Sequence, residues 1–547
     1  MANPCIIVQS NMEVLLNVDN KQYHEARDAI APFTELVKSP EHFHTYSISR
    51  LSLWNAASTG LSASDVLERL KKYSTYEIPA NVIAEITEYM QRYGILRLTL
   101  KNGNLVLESD NEPLFLELCK RKEIQEYIEA FVSKTSAVVS PLVRGKLKIA
   151  LTELGFPVQD VAGYVQYEPL EIGLNQSFEL RDYQRDAAQI FYASGSEKGG
   201  SGVIVLPCGS GKTIIGMATM ALVKARTLIL TPSVTAARQW IREILQKTTL
   251  AKEQVKEYSG DIKEIGAVTV ATYQILTQRK NNELSNFSLF SAQKWGLMIY
   301  DEVHLLPAPV FRFSADMQAT RRLGLTATLV REDHKETEVF SLIGPKKFDI
   351  PWRVLEAQGW IAQARCHEFR VQMRSELRIA YAVAPLREKI VIAGCNPEKS
   401  NIVKNLLEKH SEENDRILII GQYIEQLKSL AEEINVLLIT GKTPNKERDK
   451  IYDAFRSGEI KILMVSKVGN FAIDLPDANI LIQVSGTFGS RQEEAQRLGR
   501  VLRPKKDGRP AIFYSLVTKD SREQEFAMNR QLFLAEQGYE YEICYSN

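Results

Sequence analysis

From residue 176 onward, short apolar runs alternate with stretches of helical period. GVIVLP, TLILTP, AVTVATY and LMIYDE are four such runs, each separated from the next by a helical segment. Runs of this length, rich in β-branched residues, suit strands covered on both faces. Their alternation with helices predicts a parallel α/β sheet. A second series follows in RILIIG, VLLITG, KILMVS, NILIQVS and AIFYSLV, again with helical segments between most of them. The expected fold class is therefore α/β, with two parallel-sheet lobes at 176–349 and 401–547 and an interdomain segment at 350–400. The lobes are not detectable repeats of each other.

The pattern before 176 is different. CIIVQS and EVLLNVD flank SNM as the arms of a hairpin would. NKQYHEARDAIAPFTELVK has helical spacing. SASDVLERLKKYS and ANVIAEITEYMQRYG read as two more helices, capped by Ser64 and, more weakly because Pro79 precedes it, by Asn81. ILRLTL, KNGN and LVLES form a hairpin with an Asn-Gly turn. Residues 1–130 thus read as a smaller α+β domain. Helix–helix–hairpin order resembles a winged helix, and an α/β interaction module that touches no nucleic acid fits equally well. In 131–175, SPLVRGKLKIALTELGFP reads as one helix ending at Gly155, and the Gly and Pro signals after it suggest a short connector domain.

Composition narrows the class. At about 150 residues per domain, 547 residues suggest three or four domains. Net charge is only +1, so a polyanion would need a local groove rather than a basic coat. The six cysteines include no C-x-x-C pair, which argues against a zinc site or disulfide framework and fits a reducing compartment. No apolar stretch approaches the roughly 20 residues of a membrane span, and MANPCIIVQS does not read as a signal peptide. A cytoplasmic protein with no membrane partner is expected.

The chemistry concentrates in four places. LPCGSGKT joins a strand to a helix: Pro207, Cys208, Gly209, Ser210 and Gly211 form a corner whose backbone N–H groups curl around phosphates, Lys212 reaches the β/γ-phosphates, and Thr213 holds Mg2+. Leu206 stands where the strict pattern has glycine. LMIYDEVH ends a strand in Asp301, a second Mg2+ holder, and Glu302, which would deprotonate the attacking water. LTAT offers Thr326 and Thr328 as relays to a nucleic-acid site. In QRLGRVLR, Gln496 precedes Arg500 and Arg503, which share a helix face and would reach the γ-phosphate as finger arginines. Gln184 in LRDYQRDA would read the adenine edge. Two acids at a strand end, or LTAT alone, say little; the order of the set carries the reading. The cofactors implied are ATP and Mg2+, and motor ATPases of helicase superfamily 2 carry this set in this order, on two RecA-like domains.

Further stretches sharpen the resemblance. VRED contains an Arg-Glu-Asp triplet, Arg331, Glu332 and Asp333, and SKVGNFAIDLP carries Gly469 and Asp474 in an interdomain motif. With LPCGSGKT and DEVH these are similar to the XPB-type DNA repair helicases. The N-terminal stretch IIVQSNMEVLLNVD…SRLSLWNAASTG resembles bacterial members in particular. The resemblance implies an ATP-dependent 3′→5′ DNA helicase or duplex translocase, acting without sequence preference in nucleotide-excision repair and related processes. It also implies a damage-recognition domain, placed by order at 131–175, and a thumb-like insertion near 373–392. The long acidic and basic extensions of the eukaryotic protein are absent, so membership of a large transcription–repair complex is not implied. No nuclease-like carboxylate–lysine constellation stands out, so cutting would need a separate nuclease partner; the chain is expected to act as a monomer. Two other readings stay open: an RNA helicase of the same superfamily, since the ATPase motifs do not report the sugar, and a scaffold with a decayed ATPase.

Overall fold

The first series of apolar runs becomes one parallel sheet. In the computed structural model its strand order is Val255–Tyr258, Val268–Thr272, Thr227–Thr231, Leu297–Asp301, Arg321–Thr326, Ser201–Val205 and Lys346–Asp349. Every neighbouring pair is parallel. The structure describes residues 4–39, 42–164, 167–176, 178–207, 209–260, 262–280, 283–284, 286, 288–307, 310, 317, 320–327, 336–350, 352–410, 415–466, 478–486, 498–499, 509–537, 539 and 541–545. The chain divides into two compact units, Met1–Leu206 with Gly211–Asp349, and Pro207–Ser210 with Ile350–Asn547.

Register decides what the first sheet can do. Val205 pairs with Thr326, and Asp301 with Leu325. Three strands therefore finish level, and their following segments leave from one edge, where open α/β sheets bind ligands. Below that edge Leu228, Leu230, Met298, Tyr300 and Val203 fill the core.

The N-terminal part of the same unit holds two more sheets. Ile6–Val8, Glu13–Asn17, Phe43–Ser47 and Glu35–Lys38 form an antiparallel sheet in that order. The helix expected over residues 20–38 stops at Ile30, because Pro32 lacks an N–H and follows in a single 3-10 turn. The residues beyond it become a strand instead. Ser62, not Ser64, caps the helix Ala63–Tyr73: its Oγ accepts the Asp65 N–H at 3.2 Å while the Asp65 carboxylate accepts the Ser62 N–H at 2.8 Å. Asn81 lies inside the helix Ala80–Arg92 and donates to the Ser10 carbonyl, so Pro79 is the N-cap.

The Asn-Gly hairpin is present, with φ of 51° at Asn102 and 81° at Gly103. It is widened on both sides into a five-stranded sheet ordered Ile128–Ser133, Ser136–Val139, Asn104–Ser109, Leu96–Lys101 and Val158–Asp160. The expected limit at 130/131 therefore falls inside a strand. Leu98 and Leu107 of the hairpin share one core with Val139, Leu147 and Leu151. The expected helix there runs Arg144–Glu153, and Gly155 closes it with φ of 85°.

The second unit repeats the architecture. Its parallel sheet is ordered Leu437–Ile439, Ile462–Ser466, Ile417–Gly421, Ile480–Gln483, Ala511–Thr518, Ala364–Val371 and Tyr541–Tyr545. Ala364–Val371 comes from the expected interdomain segment, so this sheet recruits a strand from before residue 401. Two helices follow it, Ser375–Val383 and Leu386–Gly394, across the expected thumb. The first buries none of its residues, and Ile379, Val383 and Leu386 stand exposed.

A buried ion pair fastens the end of that helical pair. Lys399 Nζ donates to both Glu523 carboxylate oxygens at 2.8 Å, to the Val484 carbonyl at 2.9 Å and to the Gly394 carbonyl at 3.2 Å. Glu523 also accepts the Thr518 N–H at 2.9 Å. Burial pushes the Lys399 ammonium below its usual range, although Glu523 favours the charge. Removing one partner strands the other, which typically costs about 3–5 kcal/mol, whereas replacing both is often neutral. Lys399→Met should therefore destabilise the second unit strongly in urea unfolding, and Lys399→Met with Glu523→Leu should recover most of the loss. A single variant as stable as the parent would show that the pair holds nothing.

Candidate active site

The corner after Val205 is built by backbone conformation. Gly209 and Gly211 have φ of 81° and 88°, left-handed positions that glycine adopts without strain. Leu206 has no such conformation: it is buried, and its N–H donates to the Thr326 carbonyl at 2.9 Å, so the glycine of the strict pattern is not required there. Ser210 Oγ donates to the Pro207 carbonyl at 2.7 Å and tightens the turn. The helix Lys212–Val223 then begins with Gly211 as its N-cap. A Cβ on Gly211 would meet Gln184 Nε2 at 2.6 Å, so buried Gln184 lies directly against the corner. Its Oε1 accepts the Arg181 N–H at 3.1 Å.

Lys212 and Glu302, 90 residues apart, meet at 2.8 Å through Nζ and Oε1, with side chains 11% and 16% exposed. Glu302 has φ of 50°, an uncommon conformation for a residue with a Cβ. It turns the chain out of the strand into the single turn Val303–Leu305. Such strain, about 1–3 kcal/mol, persists where the surroundings over-determine it. The next acid along the strand is different. Burial and the neighbouring Glu302 push Asp301 up to about 6, while Lys212 and the Trp240 indole pull it down. Trp240 Nε1 donates to Asp301 Oδ2 at 2.9 Å, and the Tyr273 hydroxyl donates to the Asp301 carbonyl at 2.9 Å. His304, buried, closes the arrangement: its Nδ1 lies 2.7 Å from Thr326 Oγ1 and 3.5 Å from Glu302 Oε2.

Gln184, Gly211, Lys212, Asp301, Glu302 and Thr326 are thus brought to one sheet edge, with Thr213 in the first turn of the helix. Cys208, Thr328, Arg331, Glu332, Asp333, Gly469, Asp474, Gln496, Arg500 and Arg503 lie outside the described residues. The donor set of one ammonium, one hydroxyl and two carboxylates, beside a corner too tight for a Cβ, fits a magnesium nucleotide.

Sequence reasoning passed over His304, Trp240 and Gly216. The signal for Gly216 was present: a glycine inside a helix costs about 1 kcal/mol against alanine and marks a close approach. A Cβ there would meet the Trp240 ring at 2.4 Å. Gly216 makes room for the indole, and the indole orients the Asp301 carboxylate.

Three family models match the chain: ERCC3/RAD25/XPB C-terminal helicase over residues 355–547, helicase conserved C-terminal domain over 6–130, and type III restriction enzyme, res subunit over 177–331. The DNA 3'-5' helicase XPB of Mycobacterium tuberculosis is 50% identical over 545 residues, 99% of this chain and 98% of that protein. The chain belongs to the XPB helicase family. The XPB helicase of Kineococcus radiotolerans is 48% identical, over 99% of this chain and 97% of its own length. Among solved structures, a fragment of a putative HsdR subunit of a type I restriction enzyme from Vibrio vulnificus superposes with a TM-score of 0.50 at 17% identity, covering 68% of this chain and 70% of that one. That likeness speaks for the fold alone, two RecA-like parallel-sheet domains.

For this XPB-family chain, Trp240→Phe removes the donor to Asp301 and also leaves a cavity, because a benzene ring is smaller than the buried indole. A hydrogen bond to a charged group is worth about 1.5 kcal/mol or more. The Mg2+ concentration for half-maximal ATP hydrolysis should therefore rise about tenfold, and the melting temperature should fall because of the cavity. Gly216→Ala should instead destabilise by roughly 1–3 kcal/mol, as overpacking does. An unchanged Mg2+ requirement in Trp240→Phe would remove the indole from the site.

Proposed function

We propose that this chain is an ATP-dependent DNA helicase or duplex DNA translocase of 3′→5′ polarity, working in nucleotide-excision repair or related DNA processing. The convergence of Lys212, Asp301, Glu302 and Thr326 on one sheet edge, from positions far apart in sequence, carries the reading. End-to-end likeness to DNA 3'-5' helicases supports it.

The residues divide the work. The amides of the 207–211 corner and Lys212 would hold the phosphates, Thr213 and Asp301 the Mg2+, and Gln184 the adenine. ATP with its metal supplies the phosphoryl group for transfer to water. Glu302 takes the proton of the attacking water. The His304 imidazole, between Glu302 and Thr326, passes the state of the acid to Thr326 of LTAT. Arg500 and Arg503 act as finger arginines, with Gly469, Asp474 and Gln496 beside the nucleotide; Thr328 and the triplet Arg331, Glu332 and Asp333 couple hydrolysis to DNA. Those roles rest on the family resemblance. So do damage recognition by the sheet module around 131–175 and a thumb in the helices spanning 373–392. No helix among the described residues is long and apolar enough to cross a membrane.

Two measurements test the proposal. Glu302→Gln should reduce ATP turnover by about 10²-fold or more, as loss of one transition-state group does, while nucleotide binding persists; Lys212→Ala should lose binding as well. Near-normal turnover in Glu302→Gln would remove it as the base. Second, DNA should stimulate the ATPase with little dependence on sequence, because a phosphate track reads no bases. With a net charge of +1 the contact is local, yet each neutralised phosphate adds a slope of about −0.9 in log K against log salt on duplex. Stimulation should fall steeply between low and moderate salt. Stimulation by RNA alone would assign the chain to RNA.

A further inference from the structure

On the far edge of the second sheet, three donors of different chemistry come together. Against the expectation drawn from the missing C-x-x-C pair, we infer that His367, Glu542 and Cys544 form a binding site for a divalent transition-metal ion of the zinc class. Their donor atoms all lie within 4.8 Å of one another, the one such group of three among the described residues.

The strands set this geometry. Tyr541–Tyr545 pairs in parallel with Ala364–Val371, and the register puts His367 opposite Glu542. Cys544 is two residues beyond Glu542, so it projects from the same face. His367 Nδ1 and Glu542 Oε2 are 3.0 Å apart. The imidazole plane is fixed from the other side, where the Tyr514 ring stacks on it at 5.1 Å and 25°. Tyr514 is held in turn by its hydroxyl, 2.8 Å from His410 Nε2.

A His–Glu ion pair alone would account for two of the three residues. It does not account for a thiol on the same face within the same radius. Zinc takes nitrogen at about 2.0 Å, sulfur at about 2.3 Å and carboxylate oxygen at about 2.1 Å, so tetrahedral ligands sit roughly 3.5 Å apart. Glu542 is exposed and Cys544 half-buried, so side-chain rotation alone brings their atoms in from 4.8 Å. A thiolate with an imidazole suits zinc and its neighbours, and disfavours Mg2+ and Ca2+. This site is therefore chemically separate from the nucleotide's metal.

Protonation is compatible. Burial pushes His367 below its usual range, towards the neutral ligand form. Burial and Glu542 push the Cys544 thiol up. Binding thus moves the imidazole proton to Nε2 and releases the thiol proton to solvent, one proton per ion, with water at the remaining coordination position. Lys409, which lies over the Tyr514 ring, and Arg365 are the cations that oppose a dication here. The consequence is structural: Tyr541–Tyr545 pairs on one side only, and an ion bridging it to Ala364–Val371 would clip the last strand to the sheet.

The full chain, stripped with a chelator and titrated with Co2+, tests this. One equivalent should produce a thiolate-to-cobalt charge-transfer band, with release of one proton, and Zn2+ should displace it. Cys544→Ser should abolish the band. His367→Gln should weaken binding by at least the roughly 10- to 100-fold that losing even an outer-shell partner costs. DNA-stimulated ATPase equal to the parent's shows that each variant is folded. Absence of the band in the parent, or its survival in Cys544→Ser, overturns the inference.

Discussion

Parallel pairing makes neighbouring strands finish level, and the candidate site at the sheet edge depends on that constraint. Val205, Asp301 and Thr326 are separated by up to 121 positions, yet register alone brings their ends together. Past the last ladder bond, which Leu206 makes to the Thr326 carbonyl, the chain is free to turn. Gly209 and Gly211 turn the chain through left-handed conformations at one end, and Glu302 adopts another at the next. A one-residue slip of Leu297–Asp301 would swap Asp301 and Tyr300 between the two faces of the sheet.

Charge placement at that edge follows a second logic. Asp301 and Glu302 are adjacent acids in a buried place, which raises Asp301 to about 6 despite Lys212. A carboxyl raised above its unfolded value holds its proton longer in the folded chain. Its contribution therefore falls as pH rises from the usual carboxylate range through about 6. Folding thus pays to present an ionised Asp301 at neutral pH. A bound cation offsets that cost, and the Trp240 donor reduces it. Gly216 belongs to the same arrangement, since the indole can reach Asp301 only across a helix that lacks a side chain at that point.

These cases show what sequence carries. The two sheets, the order of the motifs and the Asn-Gly hairpin were legible, because each is written in local periodicity or in residues whose chemistry has few other uses. Ala364–Val371 was not, since ARCHEFRV is half polar, with His367 and Glu368 adjacent, and lacks the continuous apolar run of a strand inside a parallel sheet. Its neighbour Tyr541–Tyr545 is the edge strand and leaves much of that face open. Ser62 stands just before the helix Ala63–Tyr73 and Ser64 within its first turn, and the reciprocal bond with Asp65 marks Ser62 as the cap. Trp240 belongs to none of the motifs, and its role depends on a partner 61 residues away. The finger arginines and the Arg-Glu-Asp triplet fall outside the described residues and stand on resemblance.

The same reasoning bears on how the N-terminal sheets serve the motor. A module tethered by a flexible linker would exchange few buried contacts with the domain beside it. Here Asn55 Oδ1 accepts the Lys346 N–H at 2.9 Å, Ser341 Oγ donates to Thr152 Oγ1 at 2.9 Å, and Trp54 packs against Phe340. Each joins the N-terminal part to the helix Glu336–Leu342 or the strand Lys346–Asp349 of the first parallel sheet. Asp160 strengthens the junction: Arg144 and Lys148 pair with it at 2.5 and 3.2 Å, and the field of buried Arg322 adds to theirs. Arg322 Nη2 in turn donates to Ser201 Oγ at 3.1 Å, at the start of the strand Ser201–Val205 that leads into the 207–211 corner. The small sheets and the first parallel sheet are therefore joined by buried contacts within one compact unit rather than by a bare linker.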